Sequence, residues 1–268
     1  METQSVPDYH THNRLCRHAE GEPIDYARAA QQSGLPEIGI SDHSPMPKVL
    51  DDWRMLLEEF PEYLEMVDVA RAALPEFPVR LGLEVDYIAG HEPWIEKLSG
   101  MAEWDFLIGA VHYIAPGWDF DNPKHLSRWS ESDVATIWEE YWKTYTACVA
   151  SGHFDFYAHP DLAKKFGFRP DGDLKRYYEP AIQAAVDTGA AFEINTAGRY
   201  KQVKEFYPAM EFLQLMAEAE LPVLISSDAH EPGHVGRDFE DALALAKSAE
   251  LTKTLRFEKR QRRVVPLP

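Results

Sequence analysis

The chain has 268 residues, and its 45 acidic and 27 basic side chains give a formal net charge of −18. This charge argues against nucleic acid as a partner, because binding to a phosphate backbone requires a basic surface. The one basic cluster, residues 256–263, predicts a solvated edge strand. The hydrophobic content of 45% supports a large core, and the length suits one α/β barrel, so we expect a single domain over residues 1–268.

The cysteine content and the apolar segments predict a soluble cytoplasmic protein. Two cysteines, Cys16 and Cys148, are too few for a disulfide framework and favour a reducing compartment. The amino terminus lacks the charged and apolar regions of a signal peptide. The longest uncharged stretch, residues 106–118, is shorter than the roughly 18 residues that a membrane span requires. We therefore expect no membrane partner, and the pattern specifies no oligomeric state.

Short apolar runs alternate with longer amphipathic patterns along the chain. Several runs are continuously apolar, as in strands that are buried on both faces of a parallel sheet. The predicted strands are residues 6–12, 37–43, 79–87, 106–114, 154–159, 191–196 and 222–230. The predicted helices are residues 24–34, 53–74, 92–103, 131–150, 174–189, 205–220 and 237–249. Seven strand–helix pairs predict an α/β fold of the (β/α)7 barrel type, with residues 115–130 as a long loop at the strand ends.

Histidines and two carboxylates gather at the carboxyl ends of the predicted strands. They are His10, His12, His18, His43, Glu84, His112, His159, Asp228 and His230. In a barrel of this type the active site is built at that end of the strands. One His-x-His pair is a weak signal, but nine such residues at the ends of six strands rarely arise by chance. The sequence therefore predicts a catalytic site at the carboxyl end of the barrel.

The composition of this set favours metal binding. His10 and His12 are two residues apart, so on a strand both imidazoles point to the same face. Imidazole and carboxylate ligands without thiolate suit zinc, iron or manganese, whereas calcium prefers oxygen ligands. Cys16 is expected to be a small packing residue rather than a ligand. Since the ligands exceed what one ion can use, we expect two to three divalent metal ions (Zn, Fe or Mn).

The motifs that surround these residues resemble one known family. They are DYHTHNRLCRHAEG, ISDHSPMP, LGLEVDY, GAVHY, AHPDL and SSDAH. Together they are similar to the PHP (polymerase and histidinol phosphatase) superfamily of metal-dependent phosphoesterases, and most of all to its monofunctional histidinol-phosphate phosphatase branch. The similarity extends from residue 8 to about residue 239. It implies a distorted (β/α)7 barrel and hydrolysis of L-histidinol phosphate to L-histidinol and inorganic phosphate, a step of histidine biosynthesis.

The resemblance also implies how the nine ligands are divided among three ions. The first ion would be held by His10, His12, Glu84 and Asp228. Glu84 would bridge to a second ion that is completed by His112 and His159. The third ion would be held by His18, His43 and His230.

For the mechanism we expect direct hydrolysis, in which a hydroxide that bridges two metals attacks phosphorus in line. Glu84 and Asp228 are then catalytic as ligands, and the leaving alkoxide takes its proton from His234 or from metal-ordered water. Three divalent ions would leave the site with a charge of about +4, enough to attract a phosphate monoester to an acidic protein.

Several residues are candidates for binding the substrate. Asn195 and Arg199, after the sixth predicted strand, are expected to contact it. Lys164 and Lys165 are alternative partners of the phosphate, and Glu193 is a candidate partner of a substrate imidazole.

Three other functions remain open at this stage. The first is a related phosphoesterase that acts on nucleotides, oligonucleotide ends or phosphotyrosine. The second is a metal-dependent amidohydrolase, which also has a His-x-His pair at a strand end but requires only one or two ions. The third is a non-catalytic metal-binding or scaffolding domain, although such domains tend to lose ligands.

Overall fold

The computed structural model describes residues 6–268, and the centre of the fold is a series of parallel strands. The strands of the whole fold, which also include two antiparallel hairpins (β5–β6 and β10–β11), are β1 (Ile38–Ile40), β2 (Val79–Leu81), β3 (Glu84–Asp86), β4 (Ile108–Ala110), β5 (Tyr113–Ala115), β6 (Trp118–Asp119), β7 (Phe156–Tyr157), β8 (Phe192–Asn195), β9 (Val223–Ser226), β10 (Lys253–Glu258) and β11 (Gln261–Pro266). The α-helices are α1 (Pro23–Gln32), α2 (Phe60–Ala73), α3 (Glu92–Ser99), α4 (Leu126–Glu131), α5 (Val134–Ala150), α6 (Lys175–Thr188), α7 (Met210–Glu218) and α8 (Phe239–Ser248). Alternation of strands and helices confirms the predicted α/β class.

The strands pair in two parallel groups that short contacts connect. β1 pairs with β2, and a five-stranded sheet has the order β3-β4-β7-β8-β9. Single parallel bridges join Asp8 to Ile38 and His43 to Glu84. A further bridge joins Thr11 to Ala229, which links the seventh predicted strand segment to the first. Residues 8–11 thus take the place of the first predicted strand with isolated bridges rather than a regular ladder, and the barrel is correspondingly distorted.

Three predicted segments differ from the structure. The helix predicted at residues 53–74 begins only at Phe60, with a proline in its first turn, where a missing N–H is tolerated. The helix predicted at 205–220 begins at Met210, because the residues before it pair with β8 through a bridge between Tyr207 and Asn195. The helix predicted at 131–150 begins at Val134, because the Asp133 side chain caps α5 there, and Glu131 is the last residue of α4.

The prediction of a long loop at residues 115–130 is wrong. This segment contains the β5–β6 hairpin, a 3-10 turn and α4. Phe120 and Trp129 are fully buried within it, and the Trp129 indole N–H donates a hydrogen bond to the Phe120 carbonyl at 2.8 Å. Aromatic packing orders this segment although its proline and glycine content resembles that of a loop.

The carboxyl-terminal hairpin covers the start of the strands. Residues 256–263, predicted as one solvated edge strand, instead form the end of β10, the turn and the start of β11; β11 is exposed, whereas β10 buries Leu255 and Phe257. These two side chains belong to an interior apolar cluster with Tyr9, Phe106 and Phe156. No described helix is both long and apolar enough to cross a membrane.

The interior face of the barrel changes character along the strands. Phe106, Ile108 and Ala110 belong to the interior apolar cluster, and His112 follows two residues later. Side chains on one face of a strand recur every second residue, so these four side chains lie on the same face. Along this face the side chains change from apolar to metal-ligating. The fold therefore places the candidate site above an apolar layer.

Candidate metal centre

The structure brings all nine predicted ligands together at the carboxyl ends of the strands. Six of them are buried, namely His10, His12, His43, Glu84, His112 and His159. Asp228 and His230 are partly exposed, and His18 lies at the exposed edge of the group. The backbone at His159 and Asp228 has positive φ angles of 27° and 50°. Such conformations are less favourable outside glycine, and here they occur where the chain turns just after β7 and β9.

Glu84 lies at the centre of this group. Its Oε1 atom is 3.1 Å from His159 Nε2 and 3.4 Å from His10 Nε2. Its Oε2 atom is 2.7 Å from His43 Nδ1 and 3.6 Å from His12 Nε2. Burial opposes ionisation of Glu84, but His43 and His10 hold its pKa well below the ordinary value. A carboxylate in contact with several imidazoles through both oxygens is placed to bridge two cations.

The ligand atoms form distinct sets of three, each within 4.8 Å. One set is His10, His12 and Glu84, and another is Glu84, His112 and His159, which correspond to the first two predicted ions. Asp228 joins the first set, since its Oδ1 is 3.1 Å from His12 Nε2. The third predicted set is less compact.

Around the third position the structure groups the ligands differently. His43 and His230 form a set with His12, whereas His18 and His230 form a set with the buried Cys16. The Nε2 atoms of His18 and His230 are 2.9 Å apart. His18, His43 and His230 nevertheless all lie at one side of the cluster, with ring centroids of His18 and His43 separated by 5.4 Å.

Unpartnered polar atoms show that this group fits metal ions. His10 Nε2, His12 Nε2, His43 Nδ1, His159 Nδ1 and Glu84 Oε2 are buried and have no hydrogen-bond partner. Such atoms are costly unless something satisfies them, and nitrogen donors that face carboxylates are ligands of zinc, iron and manganese. The donor chemistry of the site therefore fits divalent transition metals.

Three buried carboxylates orient the histidines from behind. Each accepts a hydrogen bond from the histidine ring nitrogen that faces away from the cluster. The three pairs are Glu193 with His10 Nδ1 at 3.1 Å, Asp42 with His12 Nδ1 at 3.3 Å, and Asp86 with His112 Nδ1 at 2.9 Å. Burial disfavours the charged form of His112, but Asp86 raises its pKa to about 10. Such carboxylates fix the tautomer and direct the other ring nitrogen toward a metal.

Sequence reasoning missed this supporting role. Glu193 was a candidate for binding a substrate imidazole, but it is fully buried behind His10 and also accepts a hydrogen bond from the His159 backbone N–H at 2.8 Å. Asp42 and Asp86 carried a usable signal, because each is adjacent to or two residues from a predicted ligand. Distinguishing a ligand from its supporting carboxylate requires the tertiary structure.

A cavity of about 540 Å³ opens above the cluster. Its floor includes Glu84 and Asp228, and its walls include the aromatic rings of Trp53, Tyr200 and Tyr207. Trp53 stacks on Tyr113 with a centroid distance of 6.1 Å and contacts His43 edge-on. The β5–β6 hairpin and the turn after it form part of the rim, so the segment that was predicted as a loop shapes the site.

Charged side chains of both signs line the cavity. Lys165, Lys201 and Arg237 lie among the lining residues, as do Asp119 and Asp121. Lys165 Nζ is 2.8 Å from Asp121 Oδ2. Lys201 and Arg237 form no ion pair with the carboxylates of residues 6–268, and the Arg237 guanidinium stacks on Tyr200 at 3.5 Å. The sequence prediction included Lys165 as an alternative but missed Lys201 and Arg237.

Neither of the two predicted substrate contacts, Asn195 and Arg199, lines this cavity. The fully buried Asn195 donates hydrogen bonds to Glu193 at 2.8 Å and to Asp228 at 3.1 Å, so it positions ligands rather than facing the cavity. Arg199 lies outside the cavity, because the turn after β8 directs it to ion pairs with Asp238 at 3.1 Å and Asp241 at 2.5 Å. The predicted substrate contact of Arg199 is therefore not supported.

The remaining candidates separate into buried and accessible groups. Lys164 is fully buried and pairs with Asp161 at 3.0 Å, so it is not available to a ligand. His234 lines the mouth of the cavity with its side chain 32% exposed, and its Nε2 is 3.7 Å from Glu231. His234 is thus the only one of the four histidines outside the nine predicted ligands that reaches this cavity among the described residues.

Comparisons with known proteins agree with this architecture. The model of the PHP domain family matches residues 8–197. The chain is 41% identical to a protein named probable histidinol-phosphatase of Deinococcus radiodurans over 88% of this chain and 90% of that one. It is 24% identical to the histidinol-phosphatase of Bacillus subtilis, over 87% of this chain and 96% of that one.

A solved structure shares the fold. The histidinol phosphate phosphatase of Lactococcus lactis, in a crystal complex with zinc, L-histidinol and phosphate, superposes with a TM-score of 0.76 at 19% identity. The superposition covers 97% of this chain and 100% of the Lactococcus lactis chain. The predicted fold is confirmed over nearly the whole length.

Proposed function

This chain belongs to the PHP domain family, and we propose that it is a metal-dependent phosphomonoesterase that hydrolyses L-histidinol phosphate to L-histidinol and inorganic phosphate. The observation that carries this proposal is the group of seven histidines and two carboxylates with unpartnered ligand atoms, seven members of which line one cavity. The relatives named histidinol-phosphatase, one of them 41% identical over most of both chains, support the choice of substrate.

The metal ligands that we propose are the nine residues that the structure brings together. Glu84 with His10, His12 and Asp228 would hold one ion, and Glu84 with His112 and His159 would hold a second. His18, His43 and His230 would hold a third, so that the site would take two to three ions of zinc, iron or manganese. Bound divalent ions lower the pKa of water and stabilise the charge that develops on phosphate.

The chain's own cations bind the phosphate. Lys201 and Arg237 lie at the cavity without carboxylate partners, so their charges are available to an anion. Arg237 is held by stacking on Tyr200, which leaves its N–H groups free for bidentate contacts with phosphate oxygens. This local field attracts a monoester despite the net charge of −18, because charges farther than about 8–10 Å are screened at physiological salt.

The organic part of the substrate meets other side chains of the same cavity. Asp119 and Asp121 are carboxylates of its lining, of which Asp121 is paired with Lys165, and Trp53 supplies an aromatic face. An amino alcohol with an imidazole carries positive or hydrogen-bond-donating groups that carboxylates and an aromatic ring accept. His234, at the mouth, is placed to donate a proton to the leaving alkoxide. A cavity lined by both cationic and anionic side chains favours a substrate that carries both charges over a nucleotide.

The proposed location is the cytoplasm, and the proposed domain is a single PHP-type unit over residues 1–268. Cys16 and Cys148 are buried free thiols, which suits a reducing compartment.

The experiment that tests this function compares three substrates on one metal-analysed preparation. Phosphate release is measured from L-histidinol phosphate, p-nitrophenyl phosphate and a nucleoside monophosphate. We expect kcat/KM for L-histidinol phosphate to exceed the other two by orders of magnitude. Equal rates for the three esters would overturn the substrate assignment, and a metal-loaded protein that hydrolyses none of them would overturn the phosphatase function.

A further inference from the structure

Tyr207 presents a buried hydroxyl at the cavity that no group of the described chain satisfies. The residue lines the cavity, only 1% of it is exposed, and its hydroxyl has no hydrogen-bond partner. A buried hydroxyl without a partner costs free energy, so a ligand in the cavity that supplies an acceptor would stabilise this position. The ligand that this cavity is proposed to bind is rich in acceptor oxygens.

The backbone and the packing around Tyr207 fix its position. Tyr207 and Asn195 exchange two backbone hydrogen bonds, at 2.7 and 3.0 Å, next to the end of β8. Gly198 packs so closely on the ring that a Cβ atom there would lie 2.9 Å from Tyr207 Cε2. A larger residue at position 198 would push the ring out of place. Tyr207 is therefore held before any ligand arrives, which is the property of a preorganised donor.

The neighbours of the ring place Tyr207 beside the proposed metal ligands. The Tyr207 ring contacts the ring of His159, a proposed metal ligand, with a centroid distance of 6.4 Å. The buried Lys164 ammonium lies 5.6 Å from the ring centroid and is engaged with Asp161 and the Phe206 carbonyl. Lys164 thus supports the ring without competing for the hydroxyl.

We propose that Tyr207 is a catalytic residue whose hydroxyl donates a hydrogen bond to a phosphoryl oxygen of the bound substrate and of the inorganic phosphate product. This assignment rests on the proposed function. A tyrosine hydroxyl is neutral at physiological pH and has a proton to donate. A hydrogen bond from a neutral donor to a charged oxygen strengthens as negative charge accumulates during hydrolysis.

The chain offers a matched control in Tyr178. This tyrosine is also fully buried with an unpartnered hydroxyl, but it packs in α6 against Trp142 and Phe212 and does not line the cavity. Tyr207→Phe and Tyr178→Phe remove the same atom in similar burial. They differ in that Tyr207 lines the cavity and Tyr178 does not.

The experiment measures metal content, affinity for inorganic phosphate by calorimetry, and kinetics on L-histidinol phosphate for the metal-loaded wild type and both variants. Tyr207→Phe is expected to retain its metals, to bind phosphate about 10-fold more weakly and to lose roughly 10- to 100-fold in kcat/KM. Part of this loss is expected in kcat, because the hydrogen bond strengthens in the transition state. Tyr178→Phe is expected to match the wild type in all three measurements.

Two outcomes would overturn the proposal. If Tyr207→Phe binds phosphate and turns over as Tyr178→Phe does, the hydroxyl does not contact the phosphoryl group. If Tyr207→Phe loses its metals, the residue has a structural role. A wild type that hydrolyses no phosphate monoester contradicts the proposed function. In that case the affinity for inorganic phosphate tests the contact between Tyr207 and phosphate. A loss of affinity only in Tyr207→Phe supports this contact, and no loss overturns it.

Discussion

The two ends of the barrel interior are built from the same strands but satisfy their side chains in opposite ways. At the start of the strands, Phe106, Phe156 and Phe257 pack together, and the Tyr9 hydroxyl donates a hydrogen bond to Glu37. At the carboxyl ends, buried ring nitrogens and a carboxylate oxygen lack partners. The comparison shows that the lower layer stabilises the fold by packing, whereas the upper layer is incomplete without ions and substrate.

One substitution at each end of the barrel tests this difference between the two layers most strongly. Glu84→Gln removes the carboxylate that contacts five histidines, so we expect loss of bound metal and a fall in phosphate release by about a thousandfold or more. Metal analysis and initial rates on the same sample measure both. Glu37→Gln, an equally buried carboxylate at the other end, is the control and should keep its metals. A Glu84→Gln protein within tenfold of wild-type rate and metal content would contradict the central role of Glu84.

A cavity in the lower layer should affect stability instead. Phe106→Ala removes a fully buried ring that packs on Tyr9 and Phe257, at centroid distances of 5.1 and 5.9 Å. We expect a loss of about 3–5 kcal/mol in the free energy of unfolding, measured with urea on the metal-loaded protein. The rate per folded molecule should stay within a few-fold of wild type. A large loss of rate with unchanged stability would show that the two layers are not separate in function.

The pH dependence of the free energy of unfolding tests a buried carboxylate at the start of the strands. Burial raises the pKa of Asp155 to about 6, although Arg260 opposes this shift. The folded state thus binds the proton more tightly than the unfolded chain, and the stabilisation from Asp155 is complete below about pH 4 and is lost as pH rises through 6. Relative to Asp155→Asn, the wild type should lose up to about 3 kcal/mol across this window. Urea unfolding of both proteins from pH 4 to 7 measures the difference, and parallel curves would contradict the shift.

The smallest expected effect separates two arginines near the mouth. Arg237 lines the cavity without an ion pair, whereas Arg199 is paired with Asp238 and Asp241 outside it. Arg237→Ala should raise KM for L-histidinol phosphate about 10-fold through loss of a phosphate contact. Arg199→Ala should leave the kinetics unchanged, because partly exposed ion pairs contribute little. Steady-state kinetics on both variants measure the two effects. A larger rise in KM for Arg199→Ala than for Arg237→Ala would contradict this prediction and place Arg199 at the substrate site.

The sequence predicted the parts of this molecule that depend on local periodicity. Apolar runs such as residues 222–230 mark where each strand ends. The sequence alone therefore places His10, His112 and Asp228 at one end of the barrel. Helices with a regular apolar face, such as α1 and α6, also begin and end close to the predicted residues.

The rest depends on contacts between distant segments. Arg199 follows β8 closely, yet its direction is decided by Asp238 and Asp241, about forty positions away. Glu193 and Asp42 have the same chemistry as a ligand, and only burial behind His10 and His12 makes them supporting groups. No local pattern marks Tyr207, because its exposure to the cavity follows from a pairing with Asn195.

The central claim is that two to three divalent ions held by these nine residues make this chain a histidinol-phosphate phosphatase. The most direct measurement is phosphate release from L-histidinol phosphate before chelation, after chelation, and during stepwise return of zinc, iron or manganese, with bound metal counted at each step. The account predicts that the metal-free protein is folded but inactive, and that activity returns as the second or third ion per chain binds. Undiminished hydrolysis by the metal-free protein, or full metal loading with no hydrolysis, would contradict it.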